Sequence, residues 1–483
     1  MTEYEVYDMF LDFEEEENFF DIKYKDIPIY DYTRYFYYKV MCCEFLNIDN
    51  FWKPPINPTD VQTNEYIQSH LIDIDKLKHY DMLLMGDSRR IKQTDGLFHD
   101  IYIDYLPDKL TNYSHISIED PFWTQFPHNP NSHLTPAYTD DLVYTDNIVH
   151  SYYNAYFDDN QMSEDKAELT KIFQEITKKY TERFQLDFEI ATIKSVGHIL
   201  YLLFTEPYFL QILDKVSPKI IFFIFHPNPG ALSLLRCAKL RNIPIVEIQH
   251  GIFGEFEPIW HKFRNTSRPH QLPDYVFALS PRIVIEDDMV LTTQNNRIKY
   301  VGYPLLERKV KEYENVPKPD SKKKYILFVS QSNIGQSLAM YASNLADLLK
   351  DNDEYHIIYK LHPYELYKDY PCLKKDNITV INNLEKDIYY FANMCDIQVG
   401  VYSTAIYEAI PFGTTTIIAK GIMGSDEALR LLDGIDGVYS APTAFDAYNV
   451  IMHNPSKPKG EDFWPRVTND TINTFVEEII NNN

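Results

Sequence analysis

The chain has 483 residues, with 46 Lys and Arg against 71 Asp and Glu, so its formal net charge is −25. This length allows two or three domains with cores of their own, and the charge argues against nucleic-acid partners and a broad basic membrane surface. Five scattered cysteines form neither a Cys-x-x-Cys pair nor a disulfide framework, which fits a reducing compartment. No secretory signal is visible, so we expect a cytoplasmic protein, with peripheral attachment to the inner face of the membrane left open.

The first part of the chain is hard to assign. Residues 1–75 are unusually rich in Tyr, Phe, Asp and Glu, and we interpret them as an N-terminal cap or interaction segment. Residues 81–85 have the composition of a buried strand. Farther on, apolar residues recur at helical spacing over 163–184, which predicts a helix with Ser163 as its N-cap.

From residue 218 onward, strand and helix patterns alternate. The first block predicts strand 219–225, helix 230–241, strand 243–248 and strand 275–279. A polar, Pro-containing stretch at 311–324 is typical of a linker. The second block predicts strand 325–330, helix 338–350, strands 356–361 and 379–381, helix 388–394, strand 397–401, helix 405–410, strand 415–419 and helix 425–432. Such alternation indicates α/β domains with parallel, doubly wound sheets.

Two histidines follow predicted strands at the point where each strand ends. His362 is flanked by Lys360 and Pro363, and the proline should stop the strand and leave the imidazole at the rim of the sheet. His250 lies in a Gln-His-Gly sequence at 249–251. Because ligands of open α/β sheets bind beyond the carboxyl ends of the strands, we expect His362 to contact a phosphate and His250 to act as a base. Either one can also be a structural turn histidine.

A third strand end carries hydroxyl groups. Ser403 and Thr404 follow the strand 397–401 and precede a helix that bears Glu408. Two hydroxyls beside unpaired helix N–H groups can hold a phosphate, and Glu408 can accept hydrogen bonds from a ribose. The alternative is that Ser403 is an ordinary helix cap.

Other candidate residues are less specific. The polar loop after strand 325–330 offers side-chain donors to a diphosphate or nucleoside, namely Ser330, Ser332 and Asn333. This loop matches neither a P-loop nor a dinucleotide-binding fingerprint. Asp87 and Glu255 join His250 as candidate catalytic bases. The sequence has no pattern for a zinc or calcium site and no nucleophile elbow of a Ser-His-Asp hydrolase.

Three of these stretches together resemble GT-B-fold glycosyltransferases of bacterial surface and capsular polysaccharide synthesis. They are Gln-His-Gly at 249–251, Lys-Leu-His-Pro at 360–363 and Ser-Thr-Ala-Ile-Tyr-Glu-Ala at 403–409. The sequence is similar to capsule-type transferases, to Kdo and sialic acid transferases, and to CDP-glycerol glycerophosphotransferases.

The resemblance implies an α/β fold with two Rossmann-like, doubly wound domains that face a central cleft. The expected bounds are an N-terminal extension at 1–75, an acceptor-side domain at 76–312 and a nucleotide-donor domain at 313–483. Whether the last helices of the donor domain cross back to the first domain is left open.

The implied activity is transfer of a sugar from a CMP-, CDP- or UDP-linked donor to a hydroxyl of a bacterial surface glycan or its lipid-linked precursor. No metal or other cofactor is implied, and His362, the Ser403–Thr404 pair and Glu408 would contact the donor. Gly400 stands where retaining members carry a glutamate, which favours inversion with one general base. The alternatives are glycerophosphotransfer from CDP-glycerol, 2-epimerisation of a nucleotide sugar, and a non-catalytic scaffold. The oligomeric state stays open.

Overall fold

The structure is a computed structural model that describes residues 3–46, 72–86, 90–93, 96–119, 132–134, 159–225, 229–253, 261–284, 297–320, 322–362, 365–382 and 386–482. Its helices are α1 (Glu3–Glu16), α2 (Ile29–Phe45), α3 (Asp159–Phe184), α4 (Glu189–Val216), α5 (Pro229–Arg241), α6 (Pro304–Tyr313), α7 (Gly335–Leu349), α8 (Ile388–Met394), α9 (Thr404–Glu408), α10 (Ser425–Leu431), α11 (Ala444–Met452) and α12 (Asn469–Asn481).

The strands fall into two large sheets and two small hairpins. They are β1 (Lys23–Tyr24), β2 (Ile27–Pro28), β3 (Met82–Met85), β4 (Arg90–Lys92), β5 (Phe98–Asp100), β6 (His115–Glu119), β7 (Ser132–Leu134), β8 (Ile220–Phe223), β9 (Ile245–Ile248), β10 (Tyr275–Ala278), β11 (Ile298–Tyr300), β12 (Lys324–Val329), β13 (Tyr355–Lys360), β14 (Ile378–Ile381), β15 (Ile397–Gly400), β16 (Thr415–Ala419) and β17 (Val438–Ala441). The hairpins pair β1 with β2 and β4 with β5.

The backbone groups into two compact units. The first comprises Met1–Ala278, Ile285–Lys299 and Thr468–Asn483, and the second comprises Leu279–Val284 and Tyr300–Val467. The stretch 311–324, expected to be a linker, lies within the second unit. The domain bounds 1–75, 76–312 and 313–483 stay a prediction.

The first unit contains a seven-stranded sheet in the order β11-β10-β9-β8-β3-β6-β7. The pairings that join β10, β9, β8, β3, β6 and β7 are all parallel. Every residue of β3, β8 and β9 is buried, as expected of strands covered on both faces. The strand order reverses between β3 and β8, which is the doubly wound arrangement.

The N-terminal helices α1 and α2 are part of the hydrophobic core of the first unit. They and the residues between them surround the fully buried ring of Tyr180 in α3. The aromatic rings that contact Tyr180 include Phe10, Phe13, Phe19 and Tyr37. The aromatic composition of this segment therefore reflects burial.

A buried ion pair joins these two helices. Arg34 of α2 and Glu14 of α1 are each 1% exposed. Arg34 donates from Nε to Glu14 Oε2 at 2.9 Å and from Nη2 to Oε1, and its guanidinium lies 4.3 Å from the ring centre of Phe263. Removing either partner would leave a buried, unpaired charge, so the stability of each helix depends on the other.

The long helices α3 and α4 differ from the predicted elements. α3 begins at Asp159, so Ser163 lies within the helix and is not its N-cap. α4 has no predicted counterpart. Among the described residues it is the one helix whose length and hydropathy, 1.2 over an 18-residue window, suffice to cross a membrane, and 56% of that window is buried inside the protein. α4 packs against α2, α3 and α5, and a core helix of a soluble protein passes the same test.

The second unit contains a six-stranded sheet in the order β14-β13-β12-β15-β16-β17, and all its pairings are parallel. Alternate residues of β12 point to opposite faces. Ile326 and Phe328 share a core with α7 and α11, whereas Leu327 packs with α8 on the other face. Two doubly wound, Rossmann-like units are therefore present, as predicted.

Candidate functional site

The carboxyl ends of three strands in the second unit bring the candidate residues to one edge of its sheet. The strand order reverses between β12 and β15. Connections leave the sheet in opposite directions at such a point, and the crevice between them is the usual ligand site of this sheet type. Ser330 follows β12, Ser403 lies beyond the end of β15, and His362 lies beyond the end of the neighbouring β13.

Ser403 is the N-cap residue of α9, but its hydroxyl does not cap the helix. Its backbone has φ −59° and ψ 140°, and no side-chain capping hydrogen bond forms. Within the described part of the chain, neither Ser403 nor the exposed Thr404 uses its hydroxyl in a hydrogen bond to the protein. α9 is only five residues long, so the hydroxyls, more than a helix dipole, are what this strand end offers to a ligand.

Glu408 lies at the end of α9 and is buried, with 7% of its surface exposed. Burial raises the pKa of its carboxyl to about 7, and a hydrogen bond with Tyr389 opposes this shift. Near neutral pH the carboxyl is therefore divided between its neutral and charged forms. The predicted ribose contact of Glu408 remains a prediction.

His362 is half-buried just beyond the end of β13. Burial lowers the pKa of its imidazole; the charge of Glu365 opposes this shift, and that of Lys360 adds to it. Burial also lowers the pKa of Lys360, the last residue of β13. A neutral imidazole keeps one N–H that can donate to a phosphate oxygen. Pro363 lies outside the described residues.

Ser330 is engaged by the protein itself. Its side chain is buried, and its hydroxyl donates to Glu365 Oε1 at 2.9 Å, while the hydroxyl of Tyr359 donates to Ser330 Oγ at 3.1 Å. Ser332 and Asn333 are exposed. The amide of Asn333 donates to the hydroxyl of Tyr402, which links the loops after β12 and β15.

Gly400 has a packing reason to be glycine. A Cβ at this position would overlap the side chain of Ile406 in the helix that follows. This close approach explains the residue without reference to the stereochemistry of a reaction.

Sequence reasoning missed two residues at this edge. Glu365 gave no signal beyond its place three residues after His362. Lys420 is exposed and follows β16 directly. It stands two residues beyond Ile418, which pairs with Gly400 at the end of β15. A lysine directly after a predicted strand could have been found from the sequence.

In the first unit, His250 lies beyond the end of β9 and is 7% exposed. Its ring centre lies 6.5 Å from that of Tyr102 and 6.4 Å from that of Phe253. The neighbouring Gln249 is fully buried, and its side-chain amide donates to the carbonyl of Gly251 at 2.8 Å. The loop that carries His250 is therefore held by a hydrogen bond of its own.

Two buried acidic residues support this edge of the first unit, and neither was among the predicted bases. Glu247 of β9 is paired with His261 at 2.6 Å, with both side chains fully buried. Asp100 is also fully buried, and its carboxylate packs so closely on Gly86, which follows β3, that a Cβ there would lie 2.8 Å from Oδ2. Asp87 and Glu255, the other predicted bases, lie outside the described residues.

No cluster of three or more His, Cys, Asp or Glu side chains that could hold a metal ion occurs among the residues described.

No protein-family model matches the chain, and no curated protein matches it. Similar solved structures include the UDP-GlcNAc 2-epimerase from Methanocaldococcus jannaschii, 10% identical, with a TM-score of 0.48, covering 82% of this chain and 99% of that one. A glycotransferase of kitacinnamycin is 10% identical, with a TM-score of 0.40 and coverage of 83% and 95%. The wall teichoic acid polymerase TagF is 12% identical, with a TM-score of 0.41 and coverage of 88% and 99%.

Proposed function

We propose that this chain is a GT-B-type glycosyltransferase of the cytoplasm. It would move a sugar from a nucleotide-activated donor to a hydroxyl of a bacterial surface glycan or its lipid-linked precursor. The second unit binds the nucleotide end of the donor at the carboxyl edge of its sheet. The acceptor side is assigned to the first unit.

One observation carries this proposal: hydrogen-bonding side chains stand beyond β13 and β15, on either side of the central β12. The hydroxyl of Ser403 does not cap α9. His362 is half-buried just beyond the end of β13, and a neutral imidazole has one N–H group. Groups of this kind suit phosphate oxygens, and their position is the ligand-binding edge of a doubly wound sheet.

The reaction would be a single in-line displacement. The acceptor oxygen forms a bond to the anomeric carbon of the sugar while the bond from that carbon to the phosphate oxygen breaks. His250 takes the proton of the acceptor hydroxyl. The leaving nucleotide receives the electron pair, and donors from His362, Ser403 and Thr404 stabilise its added negative charge.

A thermal-shift panel with CMP, CDP, UDP, UMP, GDP and dTDP tests nucleotide binding. A ligand present at 100 times its Kd stabilises the folded protein by ~2.7 kcal/mol. We expect at least one pyrimidine nucleotide to raise the melting temperature of the wild type. His362→Ala should weaken this effect by roughly tenfold in Kd, as for the loss of about 1.4 kcal/mol.

His356→Ala is the matched control, because His356 lies at the other end of β13 and bonds Thr379. It should leave nucleotide binding unchanged. If no nucleotide changes the melting temperature of the wild type, the proposal is overturned.

Product analysis then separates the remaining alternatives. Glycosyl transfer requires an acceptor and releases the nucleotide. A 2-epimerase would convert a nucleotide sugar with no acceptor present, and a glycerophosphotransferase would consume CDP-glycerol and release CMP. Conversion of the sugar without any acceptor would overturn the assignment to a transferase.

A further inference from the structure

A buried carboxylate, Glu365, joins the loops at the carboxyl edge of the second sheet. Glu365 is 8% exposed and accepts hydrogen bonds from three donors. They are the hydroxyl of Ser330 at 2.9 Å, the hydroxyl of Tyr370 at 2.6 Å and the backbone N–H of His362 at 2.7 Å. Three hydrogen bonds from separate residues therefore converge on this one carboxyl group.

The bond between Glu365 and His362 is reciprocal. The backbone N–H of Glu365 donates to the carbonyl of His362 at 2.9 Å, while the carboxylate accepts from the backbone of His362. These two bonds join the backbone of His362 to Glu365. Glu365 therefore helps to fix the backbone from which the imidazole of His362 projects.

The same carboxylate lies against the start of α7, a helix of 15 residues. A Cβ on Gly335, the first residue of this helix, would overlap Glu365 Oε1 and the hydroxyl of Tyr370. Helix starts carry unpaired N–H groups that favour an anion. In doubly wound sheets the start of the helix after the first strand commonly receives a phosphate of the ligand. Here a side chain of the protein lies at that place.

We propose that Glu365 is a positioning residue, which occupies the anion position at the start of α7 and holds His362 toward the phosphate of the nucleotide. The phosphate is then bound by the loops after β13 and β15 and not by the loop after β12. This inference rests on the proposed nucleotide site of the second unit.

Glu365→Gln tests the proposal because it keeps the size of the side chain and removes its charge. Asp369→Asn is the matched control, since Asp369 is an exposed carboxylate four residues later. With UDP and CDP as probes, we expect Glu365→Gln to raise Kd by roughly tenfold and Asp369→Asn to change it by less than about twofold. Uridine and cytidine, which lack the phosphates, should bind both variants as they bind the wild type.

A double-mutant cycle tests whether Glu365 acts through His362. If Glu365 positions the imidazole, His362→Ala should add little to the loss that Glu365→Gln has already caused. If the fold-increases in Kd of the two single variants multiply in the double variant, the two residues act independently and the proposal is overturned. It is also overturned if the affinity for uridine falls as much as that for UDP. Wild-type UDP and CDP affinity in Glu365→Gln would also overturn it.

A ligand-free measurement keeps the test separate from the proposed function. In protein with labelled histidines, NMR titration reports the pKa of the His362 imidazole. The charges of Glu365 and Lys360 act on this pKa in opposite directions, so Glu365→Gln should lower it, while Asp369→Asn should leave it unchanged. An unchanged His362 titration in Glu365→Gln would overturn the positioning role, even if no nucleotide binds the wild type.

Discussion

At the residue scale, burial controls the protonation of the candidate site in the second unit. It raises the pKa of the Glu408 carboxyl to about 7, and it lowers those of Lys360 and His362. All three groups are shifted toward their neutral forms, because burial penalises charge whatever its sign. At the proposed phosphate site, hydrogen bonds from neutral donors would therefore contribute more than the residue types suggest.

Glu408→Gln should change how stability depends on pH. The pKa of Glu408 is about 7 in the folded chain against an ordinary 4.5, so the folded state retains a proton that the unfolded state releases between these values. The stabilisation is complete below pH 4.5 and is lost as pH rises through 7. Relative to the wild type, Glu408→Gln should therefore gain on the order of 3 kcal/mol between pH 5 and pH 8.

Urea unfolding at several pH values measures this difference. Glu461→Gln is the control, because Glu461 is exposed and its ion pair is with the exposed Arg466. Its stability relative to the wild type should not vary with pH. A constant difference between Glu408→Gln and the wild type would show that Glu408 titrates normally in the folded chain.

At the element scale, the start of α7 is shaped by what packs against it. Glycine normally weakens a helix by about 1 kcal/mol relative to alanine. At Gly335 this cost is offset, because only a residue without a Cβ allows Glu365 and Tyr370 to approach the helix. The first turn of α7 thus packs directly on Glu365, which in turn bonds the backbone of His362.

Gly335→Ala should destabilise the second unit in spite of the better helix propensity of alanine. Displacing Glu365 breaks bonds to a charged acceptor that are worth about 1.5–3 kcal/mol each. We expect a net loss on the order of 3 kcal/mol in urea unfolding. Ser337→Ala, at an exposed position of the same turn, should be neutral or slightly stabilising. Equal stability of the two variants would contradict the packing of Glu365 on α7.

At the scale of the whole molecule, the first unit is assembled from distant parts of the chain. The side chains of α1 reach residues far along the sequence, since Asp8 and Asp12 both pair with Arg264. The unit also includes Thr468–Asn483 at the other end of the chain. Its core therefore cannot be complete until most of the chain has been made.

Removal of residues 1–46 should prevent the first unit from folding. Burial of one large apolar side chain contributes about 1.5–3 kcal/mol, and Phe10, Phe19, Tyr30 and Tyr37 are all fully buried. Their loss alone would match the ~5–15 kcal/mol of net stability that is usual for a domain.

Solubility and the near-ultraviolet circular dichroism of the shortened chain measure this outcome. The control is the double variant Asp8→Ala and Asp12→Ala, which removes only exposed ion pairs and should cost about 1 kcal/mol or less. A shortened chain with a native spectrum and a normal melting temperature would contradict the role of α1 and α2 in the core.

Hydrophobic pattern predicted most strands of the two large sheets closely but gave no strand at β6, β7, β11 or β17. The strands expected at 325–330 and 356–361 are Lys324–Val329 and Tyr355–Lys360, because buried parallel strands are short apolar runs with clear ends. The pattern also missed several helices, among them α2 and α4. Buried residues are spread around most of α2 and α4, so neither helix has the single apolar stripe from which a helix is recognised.

The sequence by itself determined the α/β class and the residues that follow the predicted strands, since composition and turn residues act locally. Only the tertiary structure decided that Ser330 bonds Glu365, that Glu408 is buried and that Ser403 leaves its hydroxyl uncommitted. These outcomes depend on which side chains meet across segments far apart in the chain, and on how much water they exclude. No local pattern of residues contains that information.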